Sequence, residues 1–203
     1  MKNTMTIAAL AMGVATSIAG TMPMPAPSGK GPAPAPASDP CASPINYNSL
    51  RADYLHTWFD LDGVDDANGL DLVLEYSPFQ NVYLNVSGSY VDVGGIDSWG
   101  ATGGIGGYVP LTDNVHLAAD AGVIWGDFDG NSETGWYARP HIRARFSCFE
   151  VHAGAKYICL DSEGNWEGFA DAFYQVATGV DLALGVSFNE DATTLAAGIR
   201  FRF

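Results

Sequence analysis

The sequence predicts an all-β fold: an antiparallel, up-and-down transmembrane β-barrel of ten strands, with eight as the alternative count. Three observations predict it. Apolar and polar residues alternate with period two over segments of about ten residues, the length that crosses a bilayer at a tilt. The connections between these segments are of two kinds in regular alternation, and all five tryptophans fall beside one kind.

The 203 residues carry a net charge of −14, which excludes a nucleic-acid partner, since phosphate backbones need a basic surface. Lys2, the apolar run Ile7 to Val14 and the A-x-A-like Ser17-Ile18-Ala19 form a secretory signal peptide over 1–20, cleaved near Ala19 or Gly20. Residues 21–46 hold eight of the eleven prolines, in Met-Pro-Met-Pro-Ala-Pro and Gly-Pro-Ala-Pro-Ala-Pro settings. That composition favours polyproline II and buries nothing, so it reads as a disordered periplasmic tether rather than a recognition segment. No later segment has 18 consecutive apolar residues, so no helical span follows.

From residue 47 to 203 the texture is that of a barrel. Strands fall at 49–59, 69–77, 81–91, 99–109, 114–126, 135–147, 149–159, 166–176, 180–188 and 193–203. In the fifth, Val115, Leu117, Ala119, Ala121, Val123 and Trp125 share one face, against His116, Ala118, Asp120 and Gly122. In the ninth, Val180, Leu182, Leu184, Val186 and Phe188 oppose Asp181, Ala183, Gly185 and Ser187. In the last, Leu195, Ala197, Ile199, Phe201 and Phe203 oppose Arg200 and Arg202.

One class of connection is tight: 77–81, 110–114, 147–148 and 177–179. The other is acidic and mostly longer: 60–68, 92–98, 127–134, 160–167 and 189–191, without a single Lys or Arg. Short periplasmic turns and longer outer loops are the asymmetry of membrane barrels. Trp58 and Trp125 precede acidic loops, and Trp99, Trp136 and Trp166 follow them, which makes one aromatic girdle. Phe79, Tyr83, Tyr108, Phe146, Phe149, Tyr174 and Phe203 supply the other rim. Two belts of amphipathic rings imply a hydrocarbon slab between them.

The run Ile105-Gly-Gly-Tyr-Val-Pro-Leu-Thr-Asp-Asn-Val-His-Leu117, a strand entering and leaving a tight turn, resembles the small outer-membrane barrels of the OmpA transmembrane-domain and opacity-protein type. The closing Gly198-Ile-Arg-Phe-Arg-Phe203 is similar to their assembly signal, carried here by Ile199, Phe201 and Phe203. The resemblance covers the chain after the tether. It implies location in the bacterial outer membrane, with lipid and lipopolysaccharide as surroundings and the barrel-assembly machinery as partner during insertion. Two departures stand out. Pro140 lies inside the sixth strand and should bulge or break it, and no peptidoglycan-binding domain follows the barrel.

If the apolar faces meet lipid, the opposite faces line a narrow lumen. Arg139, His141, Arg143 and Arg145 form a basic stripe on one strand, joined by His152, Lys156, Arg200 and Arg202 on others. Asp53, Asp71, Glu75, Asp120, Glu150, Asp171 and Asp181 are the candidate partners. Charges withdrawn from water must be paired, so an ion-pair network filling the lumen is expected; the alternative is a narrow anion-selective path, a porin-like channel. The expected work is structural or adhesive, through acidic loops presented outside.

A rim hydrolase would need a His beside Ser or Asp. Of His56, His116, His141 and His152, only His56 approaches the acidic end, so no catalytic residue is assigned. Loops 60–66 and 127–131 cluster carboxylates, but neither follows the EF-hand order. Loose divalent bridging to lipopolysaccharide suits them better, and no cofactor or dedicated metal site is expected. A soluble lipocalin-like barrel would reverse the two faces. Finally, a Cys41–Cys148 disulfide would tie the tether across the periplasmic mouth and leave Cys159 unpaired.

Overall fold

The computed structural model describes residues 41, 44–60, 65–161 and 163–203, so the signal peptide and the tether before Cys41 lie outside the described residues. Ten strands follow in order: β1 (Ser49–Phe59), β2 (Ala67–Phe79), β3 (Val82–Val93), β4 (Ile96–Thr112), β5 (Val115–Phe128), β6 (Asn131–Phe146), β7 (Phe149–Leu160), β8 (Glu163–Ala177), β9 (Val180–Phe188) and β10 (Ala192–Arg202). Each pairs antiparallel with its chain neighbours, and β1 pairs with β10, so the sheet closes with no free edge. The ten-strand all-β architecture is the one the alternation predicts. β1 and β9 keep their expected bounds; most of the others run further.

The acidic end differs from expectation. The segments 92–98, 127–134 and 160–167 are mostly strand, and the connections there are short hairpins instead of longer loops. Gly94-Gly95 at φ 60° and 88°, and Asp129-Gly130 at φ 52° and 76°, supply the positive φ pairs that a tight primed hairpin turn demands. Alternation continues through the acids: Val91 and Val93 point inward while Tyr90 and Asp92 point out. The polar run Asn131-Ser-Glu-Thr134 has no alternation of its own and is held as strand by its pairing with β5. The asymmetry of the barrel is thus one of charge and strand extension more than of loop length.

The opposite mouth closes with turns at Gln80–Asn81, Asp113–Asn114, Ser147–Cys148 and Thr178–Gly179. Two of the prolines sit at ladder irregularities there: Pro78 within a shift between Tyr76 and Phe79, Pro110 at a shift before Thr112. Pro140 breaks the β6–β7 ladder, which skips Arg139 and Pro140 and resumes at His141↔Gly154 in unchanged register. The missing donor opens a gap without a bulge.

Large apolar side chains cover the outside: Leu70, Leu72 and Leu74 on β2, Leu182 and Leu184 on β9, Ile199 and Phe201 on β10. The most deeply buried large side chains include Arg143, Arg200, Glu150 and Asp181. This is a water-soluble protein turned inside out, and it needs a hydrocarbon surround to be stable.

Candidate functional site

The candidate site is the lumen, because alternation sends every Lys and Arg of the barrel there. Arg51, Arg139, Arg143, Arg145, Lys156, Arg200 and Arg202 all occupy inward positions and all form ion pairs. Their partners are Asp53, Glu75, Asp120, Glu150, Glu167, Asp171 and Asp181.

The layer toward the tight-turn mouth is continuous. Arg143 grips Glu75 with both terminal nitrogens, at 2.9 and 2.5 Å, reaching from β6 across the lumen to β2. Its Nε donates to His141 Nε2 at 3.1 Å. Glu150 is shared three ways: Arg145 Nη1 donates to Oε2 at 2.8 Å, Arg200 Nη1 to Oε1 at 2.7 Å, and His152 Nε2 lies 2.8 Å from the same oxygen. Asp181 receives Arg200 at 2.8 Å and Arg202 at 3.0 Å. Arg200 also lies over the Phe173 ring, 3.7 Å from its centre. Charge-assisted bonds of this sort tie together strands that are not neighbours in the sheet.

Toward the acidic mouth the pairs loosen. Arg51 bridges Asp53 on its own strand and Asp171 on β8, the latter at 2.8 Å. Lys156 stands apart from the main network and meets Glu167 at 3.5 Å, so Glu167 belongs to the lumen and not to an acidic loop. Arg139 donates to Asp120 at 3.0 Å. The side chains of Arg51, Asp171, Lys156 and Arg139 keep 14 to 22% exposure, against 1 to 3% for Arg143, Arg145, Glu150 and Arg200. Exposure of the cationic groups thus rises toward the acidic mouth, while Asp53 and Asp120 beside them stay buried, at 2% and 0%.

The other mouth is stopped from below by a feature that alternation does not reveal. Residues 44–48 turn into the barrel, with Ile45 and Tyr47 buried against Tyr83 and Ala118. Tyr47 stacks on Tyr108 at 4.1 Å between ring centres, and Arg143 lies over its face at 4.2 Å. Tyr83 and Tyr108 are accordingly lumen residues and not part of the aromatic rim, because their outward neighbours are Leu84 and Val109. Phe79, Phe146, Phe149, Tyr174 and Phe203 do face outward at that mouth.

Cys41 is disulfide-bonded to Cys148 in the β6–β7 turn, with Cα atoms 4.6 Å apart, and pins this strap across the mouth; Cys159 carries a free thiol. Replacing both partners, Cys41→Ser with Cys148→Ser, should raise hydrogen exchange in residues 44–48 while the strands stay protected. Unchanged exchange would show that the Tyr47 stack alone holds the strap.

At the acidic mouth Trp58, Trp99, Trp125, Trp136 and Trp166 all face outward and exposed. His56 also faces outward, against the Trp58 edge at 4.4 Å and 2.9 Å from the Asn68 side-chain oxygen. Apolar wall, aromatic rings at both mouths and a charged interior occur together. The chain is a small transmembrane β-barrel. A closed sheet of this kind is what spans a bacterial outer membrane, where every backbone group must be satisfied within the sheet.

No family model matches the sequence, and no curated protein does. Solved structures are similar in fold. A KdgM porin, in complex with disordered oligogalacturonate, is 13% identical at a TM-score of 0.47, over 76% of this chain and 99% of that one. Neisserial surface protein A is 12% identical at 0.43, over 76% and 96%. The N-terminal β-barrel domain of Pseudomonas aeruginosa OprF is 11% identical at 0.42, over 78% and 100%.

Arg51 is missing from the network expected from sequence, although it stands two residues before Asp53 on the same inward face of β1. The strap was hidden too: Ile45 and Tyr47 end a proline-rich segment that gives no periodic signal. The alternation of β1 carried back past Ser49 would have placed Tyr47 inward.

Proposed function

We propose that the protein is a closed structural barrel of the outer membrane that presents its acidic mouth to the exterior, without enzymatic activity. One observation carries this reading. The layer of Glu75, Arg143, Arg145, Glu150, Asp181 and Arg200 is almost wholly buried and joined across the lumen by ion pairs. The Tyr47 strap lies beneath it as a second closure. The acidic segments at that mouth carry Asp and Glu and no Lys or Arg, so contact with anionic lipopolysaccharide would run through bridging divalent cations. In the same reading, Ile199 and Phe201 on β10 and Phe203 just after it, all exposed on the outside, are what the barrel-assembly machinery recognises.

The test is conductance. Purified full-length protein in a planar bilayer should show no steady current at moderate voltage. A large, stable conductance would overturn the closed-barrel reading and favour a porin-like channel.

A further inference from the structure

A pair of metal-ligating side chains stands outside the lumen network, on the outer wall at the acidic mouth. His56 faces outward on β1, directly opposite Asn68 on β2, and Asp66 lies two residues before Asn68. Asn68 fixes how the imidazole is used. Its Oδ1 receives the Tyr54 hydroxyl and lies 2.9 Å from His56 Nδ1. An amide oxygen accepts and cannot donate, so Nδ1 carries the proton and Nε2 of the neutral ring is a bare lone pair. That nitrogen lies 3.8 Å from Asp66 Oδ2, so two acceptors face one another. The separation is too long for a hydrogen bond in either protonation state of the ring. It is close to that of two atoms ligating one ion, which lie about 3.4 Å apart when each is about 2.1 Å from a tetrahedral centre. A hydrogen bond to the second ring nitrogen is also how metal-binding histidines are oriented.

The His56 and Asp66 side chains are 29% and 53% exposed, so an ion reaches them directly from solvent. The other histidines do not offer this access. His141 and His152 are 1% and 8% exposed within the lumen, and His116 is stacked on Tyr108. The acidic segments of the same mouth carry no Lys or Arg and raise the local concentration of cations. Among the described residues no three His, Cys, Asp or Glu gather at one point, so the protein supplies two ligands and water completes the shell. An imidazole beside a carboxylate suits Zn²⁺ and its transition-metal neighbours, whereas Ca²⁺ and Mg²⁺ take oxygen ligands throughout.

We propose that His56 Nε2 and the Asp66 carboxylate bind a divalent transition-metal ion of the Zn²⁺ class at the outer rim, with Asn68 as the positioning residue. The ion takes the place between the two facing acceptors and joins the end of β1 to the start of β2. Both ligands stand on or beside paired strands, so the site is held by the ladder. This goes beyond the closed-barrel reading and does not depend on it, because the pair lies on the outer wall.

The test titrates Zn²⁺ alone, calorimetrically at neutral pH, into the untagged full-length protein in detergent, with Cys159→Ser removing the free thiol. One site should appear, with a Kd between about 1 and 100 μM. His56→Gln should weaken it at least about ten-fold and Asp66→Asn about three-fold or more, while Glu133→Gln, an acid elsewhere at the same mouth, should leave it within about two-fold. Asn68→Leu should weaken binding and Asn68→Asp, which restores the acceptor, should recover it. Heat-modifiable gel mobility checks that each variant is folded. In the unaltered protein, Zn²⁺ and not Mg²⁺ should protect His56 from acylation by diethyl pyrocarbonate, a readout that needs no variant. Equal Zn²⁺ binding by the parent and His56→Gln would overturn the proposal. So would absence of binding up to about 1 mM, or acylation of His56 unaffected by Zn²⁺.

Discussion

Glu150→Ala is expected to be among the most damaging single substitutions in the barrel, lowering stability by about 3–5 kcal/mol. The carboxylate is 1% exposed and is held by Arg145, Arg200 and His152, from three different strands counting its own. Removing it leaves two guanidinium groups and an imidazole facing each other in a space sealed by Tyr47 and the packed layer. Arg200 keeps Asp181, and Arg145 keeps the Gln175 amide oxygen at 2.6 Å, so the network does not vanish. What is lost is the one group that balances both. Buried charges stripped of a partner cost far more than the pair contributed when intact. Glu150→Gln keeps the shape and should fall between the two, since one oxygen still accepts. Urea unfolding from phospholipid vesicles, followed by the fluorescence of the five outward tryptophans, reads the midpoint directly. A Glu150→Ala midpoint equal to that of the parent would show that water reaches this layer, and with it the closed lumen would fall. Replacing Arg200 along with Glu150 should cost less than the two single changes added together, because each removes the other's liability.

The contrast between what was legible and what was not follows from range. Alternation is a local property, so strands, their facing and their count could be read from residues such as Leu182-Ala-Leu184 or Ile199-Arg-Phe201. That Arg139, His141, Arg143 and Arg145 face inward follows from the same rule. Which carboxylate each one meets does not: Arg143 reaches Glu75, 68 positions away, across the lumen. That choice depends on strand tilt and stagger, which no single segment encodes. The acidic end misled for a different reason. Asp92, Asp97, Asp127 and Glu133 read as loop because charge is rare in strands, yet the glycines at 94–95 and 130 let the chain turn tightly and keep the ladder going. The strap escaped because burial there comes from one ring, Tyr47, stacked on partners more than 30 residues away.

Glycine on β4 gives the second large effect, and it should split by parity alone. Gly103 faces lipid, and a Cβ built on it meets nothing within 4 Å. Gly106 faces the lumen, and a Cβ there would fall 2.8 Å from the Asp120 Cβ and closer still to the Tyr83 ring. The Tyr83 side chain crosses the wall at that gap, is wholly buried, and donates to Asp120 Oδ2 at 2.8 Å. Asp120 in turn holds Arg139, and the Tyr83 ring packs on Tyr47 at 4.9 Å between centres. A side chain at 106 therefore displaces the ring that joins the strap to the ion-pair network. With the lumen filled on the far side, that ring has no vacant place to occupy, and overpacking is added to a broken buried hydrogen bond. Gly106→Val should destabilise by about 3–5 kcal/mol and leave much of the protein without a heat-modifiable gel shift. Gly103→Val, three residues away on the same strand, should fold normally and match or slightly exceed the parent midpoint, since valine suits a strand facing hydrocarbon. Equal effects at the two positions would mean that the inward and outward faces of β4 are not as distinct as the alternation requires.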